Sequence, residues 1–256
     1  MSFSSITRAQ GQSIFVVGDI HGCATELGIL IRHLQNKTKI TPKDLVVFVG
    51  DYIDRGPESK KVIDLLLEFR SSHENILCLE GNHEEMFLDF LREPDRLAEP
   101  FLGNGGLETL RSYGISIPIL AERGCEWLEE QLGEQHLEFF RSLHKIVLVD
   151  DFVIVHAGLR PTRPLEAQLD EDIFWIRDEF ILNTHCFGKT IVFGHTPFRE
   201  VFLNMPFKIG IDTGLVYGNA LSCIELRSGN VLKVARGGAS VESSRVKLRS
   251  RFNIFR

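Results

Sequence analysis

A chain of 256 residues, 43% hydrophobic and 25% charged, has an ordinary globular composition and enough length to bury a large core. A net charge of −6 argues against a broad nucleic-acid-binding face, and no apolar run is long enough to form a membrane span. Cys23, Cys78, Cys125, Cys186 and Cys223 are scattered without a C-x-x-C pair, which fits a reduced compartment better than a disulfide framework. The polar segment from Met1 to Gln12 lacks the apolar core of a signal peptide, so the cytoplasm is the expected location.

Taken in order, Ser13 to Val17 reads as a strand that ends in Gly18-Asp19-Ile20-His21-Gly22. Leu27, Leu30, Ile31 and Leu34 then recur with helical spacing, predicting a helix from about Ala24 to Gln35. Leu45 to Val49 is a second strand, closed by Gly50-Asp51-Tyr52-Ile53-Asp54-Arg55-Gly56, and a helix follows from about Glu58 to Phe69. Asn75 to Leu79 is a third strand, ending in Glu80-Gly81-Asn82-His83-Glu84 ahead of a helix with Met86, Phe87, Phe90 and Leu91. This strand–loop–helix alternation implies a mostly parallel sheet. From Glu93 to Leu143 no strand is evident, and helical segments near Leu107–Tyr113, Ile119–Leu132 and His136–Leu143 read as a flank beside the site. Beyond it, Lys145–Val149 and Phe152–Val155 predict a hairpin, and its second arm ends in His156. The strand Thr190–Phe193 ends in Gly194-His195, Lys208–Ile211 leads to Asp212, and Ala220–Leu226 and Val231–Ala235 are the last strands. A two-layered β core with helices outside is the economical architecture.

Five strands thus end in loops that carry Asp19 and His21, Asp51, Asn82 and His83, His156, and His195. Ligands on rigid elements that converge on one point are what a metal site requires. The donors are carboxylate, imidazole and amide, without thiolate, a set that suits Mn, Fe or Zn and argues against a closed structural zinc site. Asp19, His21 and Asp51 are candidates for one ion, and Asp51, Asn82, His156 and His195 for a second, with Asp51 bridging. Such paired ions clamp in-line phosphoryl displacement.

The blocks Gly18-Asp19-Ile20-His21-Gly22, Gly50-Asp51-Tyr52-Ile53-Asp54-Arg55-Gly56, Gly81-Asn82-His83-Glu84, His156-Ala157-Gly158 and Gly194-His195-Thr196 resemble the signatures of calcineurin-like metallophosphoesterases. Within them the chain is most similar to phosphoprotein phosphatases of the bacterial and phage branch. The resemblance spans about Phe15 to Leu226 and matches the helical flank only loosely.

It implies an α/β/β/α sandwich with two mixed sheets, and two divalent ions, Mn²⁺ first with Fe or Zn as alternatives. A hydroxide bridging the ions would attack phosphorus. Arg55 and Arg177 would grip the phosphate oxygens, His83 would protonate the departing alkoxide, and Asp54 would orient that imidazole. Asp212 would stand behind the ligands or close an Asx turn. The expected substrate is phosphoserine or phosphothreonine in a phosphoprotein or phosphopeptide, with phosphotyrosine also considered; the alternative is a bis(5'-nucleosyl)-tetraphosphatase. Residues 13–240 are expected to form one catalytic domain with its flank at 93–143, between an N-terminal tail, 1–12, and a C-terminal tail, 241–256. In the latter, Arg245, Lys247, Arg249, Arg251 and Arg256 face Glu242 alone. No nucleic-acid or membrane partner is expected, and oligomeric state is not legible.

Overall fold

A computed structural model describes residues 3–6, as backbone, and 12–248. Among these, twelve strands form two six-stranded sheets. The first holds, in spatial order, β12 (Glu242–Arg245), β11 (Asn230–Ala235), β10 (Ala220–Glu225), β2 (Ile14–Val17), β3 (Leu45–Phe48) and β4 (Ile76–Cys78). The second holds β1 (Phe3–Ile6), β5 (Ile146–Val149), β6 (Phe152–Val155), β7 (Thr190–Phe193), β9 (Lys208–Gly210) and β8 (Phe202–Asn204). Strands β2, β3 and β4 run parallel to one another, as do β6, β7 and β9; the pairs β10–β11, β11–β12, β10–β2, β5–β6 and β8–β9 are antiparallel. Both sheets are therefore mixed, as expected.

The apolar runs lack a polar alternation because both faces of these strands are covered. Ile14 and Val16 of β2 point between the sheets, where they meet Leu45, Val47, Ile154, Val192 and Ile209. Phe15 and Val17 point the other way, with Val46 and Phe48, against helices α1 (Ala24–His33), α2 (Ser59–Ser72) and α3 (Asn82–Arg92). The flank contributes α4 (Pro94–Phe101), α5 (Leu107–Ser112), α6 (Ile117–Leu132) and α7 (Glu134–Arg141), without a strand. Its Phe101, Leu110, Leu128 and Phe140 join that same core. On the outer face of the second sheet, Val153, Val155, Ile191 and Phe193 pack on Ile173, Phe174 and Phe180 from α8 (Asp170–Trp175) and α9 (Asp178–Ile181). The layering is helix, sheet, sheet, helix.

The two segments read as tails each hold a strand, a correction to the sequence analysis. Phe3–Ile6 pairs in parallel with β5, and Glu242–Arg245 pairs antiparallel with β11. Phe-Ser-Ser-Ile and Glu-Ser-Ser-Arg carry no apolar run, because an edge strand is held by backbone pairing and needs little burial. The same reason hides β8, Phe-Leu-Asn, most of it exposed. Helix α1 stops at His33 rather than Gln35, and a π-helical turn over Leu34–Thr38 follows it. Arg249, Arg251 and Arg256 lie outside the described residues. No described helix is long and apolar enough to cross a membrane.

Candidate metal centre

The parallel strands β2, β3 and β4, and β6, β7 and β9, release their C-terminal loops toward a shared site, as open α/β sheets do. The approach is close. A Cβ on Gly194 would lie 2.1 Å from Asp19 Oδ1, and one on Gly81 would lie 2.3 Å from Asp51 Oδ1. The backbone is also bent hard. His21, Asp51, Asp54, Arg55 and His195 have φ of 46°, 53°, 70°, 65° and 63°, and only Lys39 and Asp150 join them among described non-glycine residues. Left-handed backbone costs about 1–3 kcal/mol at such positions and persists only where the surroundings enforce it.

At Asp51 that enforcement comes from Glu84, to which the sequence analysis gave no role. At the N-terminus of α3 its carboxylate accepts the backbone N–H groups of Gly81 (3.0 Å), Asp51 (2.8 Å), Tyr52 (2.8 Å) and Ile53 (3.3 Å). One buried side chain thus ties the loop after β3 to the loop after β4. Burial and then Asp51 push its carboxyl well up, and the N–H groups of Tyr52, Gly81 and Asp51 oppose that rise.

The donor atoms meet around Asp51. His21 Nε2 lies 3.3 Å from Asp51 Oδ2, and His156 Nε2 lies 3.4 Å from Asp51 Oδ1. Asn82 Oδ1 lies 3.0 Å from His156 Nε2 and 2.9 Å from His195 Nδ1. His21 Nδ1 is 2.9 Å from the Ile53 carbonyl and His156 Nδ1 is 2.8 Å from that of Val49, contacts that place each ring's proton on Nδ1. The His156 Nε2 lone pair then faces the oxygens of Asn82 and Asp51, an arrangement that a cation satisfies, while that of His21 lies between Asp51 Oδ2 and an Arg55 N–H. Two groups have ligand atoms within 4.8 Å of one another: His21, Asp51 and His83, and Asp51, His156 and His195. Asp51 belongs to both, where the sequence analysis put a bridging carboxylate.

Two placements differ from the sequence reading. His83, expected outside the ligand set, joins the first group, and Asp19, expected in it, belongs to neither group. Asp19 Oδ2 accepts the His195 N–H at 2.9 Å. Asp19 Oδ1 and His195 Nε2 are buried without a hydrogen-bond partner, so the residues fit a pair of cations. The electrostatics agree. Burial, Asp212 and Asp51 raise the Asp19 carboxyl well above the usual range. Burial pulls the same way on Asp51, but His156, His83 and His21 hold it well below. Burial pulls the His156 imidazole below its usual range and, with His156 beside it, brings His195 down to about 2.

The remaining candidates border this cluster. His83 Nδ1 lies 2.6 Å from Asp54 Oδ2, and both side chains are fully buried. Arg55 Nη1 is 2.8 Å from His21 Nε2, with its guanidinium 5.7 Å from the Tyr217 ring. Arg177 precedes α9, exposed, and its charge acts on His195. Trp175 stands 6.3 Å from the His195 ring and donates to Glu85 at 2.7 Å. Asp212 Oδ1 accepts the Gly214 N–H at 2.8 Å, the Asx-turn alternative.

Sandwich and donor set together define a metal-dependent phosphoesterase. Residues 13–208 match the calcineurin-like phosphoesterase family, and the chain belongs to it. That family uses a binuclear divalent metal centre. The chain is 28% identical over 232 residues to a bis(5'-nucleosyl)-tetraphosphatase PrpE of Anoxybacillus flavithermus, a match covering 82% of this chain and 88% of that protein. It is 29% identical over 238 residues to serine/threonine-protein phosphatase 1 of Salmonella typhimurium, covering 88% and 97%. A crystal structure provisionally named a diadenosine tetraphosphatase superposes with a TM-score of 0.62 at 22% identity, covering 96% of this chain and 98% of that one.

Glu84→Ala leaves four buried N–H groups without their acceptor. We expect a loss of about 3 kcal/mol or more in urea unfolding, and weaker metal retention in dialysis. A loss under about 1 kcal/mol with full metal content would show that the loops hold their shape without it.

Proposed function

We propose that the chain is a binuclear metal-dependent phosphomonoesterase acting on phosphoserine and phosphothreonine in proteins. The observation that carries this reading is the buried His83–Asp54 pair at 2.6 Å, with His83 Nε2 left without a partner. A serine or threonine alkoxide leaves poorly and needs a proton in the transition state; a phosphate leaving from an anhydride needs none.

Asp19, His21, Asp51, Asn82, His156 and His195 are the residues we assign to two divalent ions, Mn²⁺ foremost. When bound, such a pair supplies Lewis acidity and an activated water at neutral pH. Arg55, at the lip beside Tyr217, and Arg177, exposed across the cluster beside His195, bind the phosphate oxygens and offset the charge that builds on them. His83 Nε2 delivers the proton to the leaving oxygen, and the Asp54 carboxylate stabilises the imidazolium that holds it. The likeness to the PrpE tetraphosphatase supports a second reading, cleavage of a dinucleoside tetraphosphate, in which the His83–Asp54 pair contributes little to the rate.

For His83→Asn the expected result is a fall in kcat of about 10²-fold or more on a phosphoserine peptide, and a far smaller fall on p-nitrophenyl phosphate. Equal losses on both would remove the acid role. Rates of the unaltered protein on phosphopeptide and on diadenosine tetraphosphate, after chelation and Mn²⁺ return, decide between the readings. A strong preference for the dinucleotide would overturn the first.

Asp19→Asn should lower bound metal and, with it, most turnover, read by elemental analysis alongside rate. Full activity with both ions retained would refute its place among the ligands.

A further inference from the structure

We propose that Thr109, carried into the site by the helical flank and buttressed by Ser59, is the positioning residue for the general acid. This rests on the assignment of His83 as that acid. Thr109 lies in α5, 55 residues from Asp54 in the chain, and Thr109, Ser59, Asp54 and His83 are all fully buried. The Thr109 hydroxyl donates to Asp54 Oδ1 at 2.6 Å, and its oxygen accepts the Asp54 N–H at 2.8 Å. One hydroxyl therefore grips the carboxylate and the backbone of the same residue. Ser59 Oγ stands 3.1 Å from Thr109 Oγ1 and 3.2 Å from the Asp54 nitrogen. The Thr109 proton is committed to Asp54, so in the Ser59–Thr109 contact Ser59 is the donor.

Three consequences follow from this count of protons. Asp54 Oδ1 takes the Thr109 hydroxyl and Oδ2 faces His83 Nδ1, which holds the carboxylate plane and aims the ring's Nε2 away from Asp54. The left-handed backbone of Asp54, φ 70°, has its N–H shared between the flank's Thr109 hydroxyl, the nearer at 2.8 Å, and the Ser59 hydroxyl of α2 at 3.2 Å. The flank also meets the neighbouring residue, where the Gly105 carbonyl accepts the Arg55 N–H at 3.2 Å. A cluster of helices outside the sheets thus sets the orientation of the proton donor and the backbone of a phosphate-binding arginine. It is part of the active centre and not merely a wall beside it.

The test uses the full-length, Mn²⁺-loaded protein and two substrates, a phosphothreonine peptide and p-nitrophenyl phosphate. Thr109→Val keeps shape and removes both hydrogen bonds to Asp54 together with the one from Ser59. We expect kcat on the peptide to fall about 10–100-fold, with KM and metal content unchanged, and the fall on p-nitrophenyl phosphate to stay within about threefold. Thr109→Ser should restore the peptide rate to within about threefold of the unaltered protein. In a His83→Asn background, Thr109→Val should lower the peptide rate no further, since both changes disable one device. Ser59→Ala should shift the ratio of the two rates in the same direction by a smaller factor. That ratio is taken on one preparation, so it is independent of the folded fraction, and Ser59→Ala decides the matter if Thr109→Val does not fold. The inference is overturned if Thr109→Val loses the two activities equally, or loses as much again in the His83→Asn background, or if an unfoldable Thr109→Val is joined by an unchanged ratio in Ser59→Ala. If His83→Asn alone fails to separate the substrates, the acid assignment falls instead, and the two failures are thereby distinct.

Discussion

The architecture depends on keeping one carboxylate, that of Asp51, buried among imidazoles. It is 2% exposed, stands within reach of His21 and His156, and shares its surroundings with Asp19 and Asp212, both nearly as deep. Burying several carboxylates together is costly without positive charge beside them. The structure answers with geometry: imidazole protons are turned outward to the Ile53 and Val49 carbonyls, and the lone pairs are turned inward. Asp19 Oδ1 and His195 Nε2 are left buried without a hydrogen-bond partner, and cations would satisfy both.

Holding that centre open requires rigid backing, which explains the division of the chain. The inter-sheet core fixes the ends of β2, β3, β6, β7 and β9, and so fixes Asp19, Asp51, His156, His195 and Asp212 to within the stiffness of packed strands. Strained loops then cover the last few ångströms, and Glu84 locks two of them together through four backbone donors. Helices bring what the sheets cannot reach. Asn82 and His83 open α3, and Arg177 immediately precedes α9.

This division also governs what the sequence reveals. The central strands are apolar on both faces and end at glycines, so they and the loops that carry the ligands are legible as contiguous words in the chain. Edge strands β1, β8 and β12 are not, since backbone pairing leaves no mark on side-chain pattern. Glu84 is visible as a residue but not as a clamp, because its partners are backbone N–H groups that any sequence possesses. Thr109 is the sharpest case. A threonine within a polar helical turn, far in the chain from Asp54, carries no signal until the fold closes the gap. Conversely, His83 stands in a tight grouping of donor atoms with His21 and Asp51, because spacing along the chain orders ligands by loop and not by distance to a shared centre.

The leaving group is where these features bear on substrate. Likeness in sequence runs both to a dinucleoside tetraphosphatase and to a protein phosphatase, and the donor set suits either, since both reactions displace an oxygen from phosphorus over the same ions. What differs is the oxygen that departs. An anhydride expels a phosphate already stable as an anion, and a buried imidazole held by a buried carboxylate, with its second nitrogen left free, adds little there. An alkyl ester expels an alkoxide, for which that arrangement removes the main obstacle. Burying His83, Asp54, Thr109 and Ser59 in one hydrogen-bonded line takes four polar side chains out of water. On the proposed ester reading, that line serves the departing alkoxide.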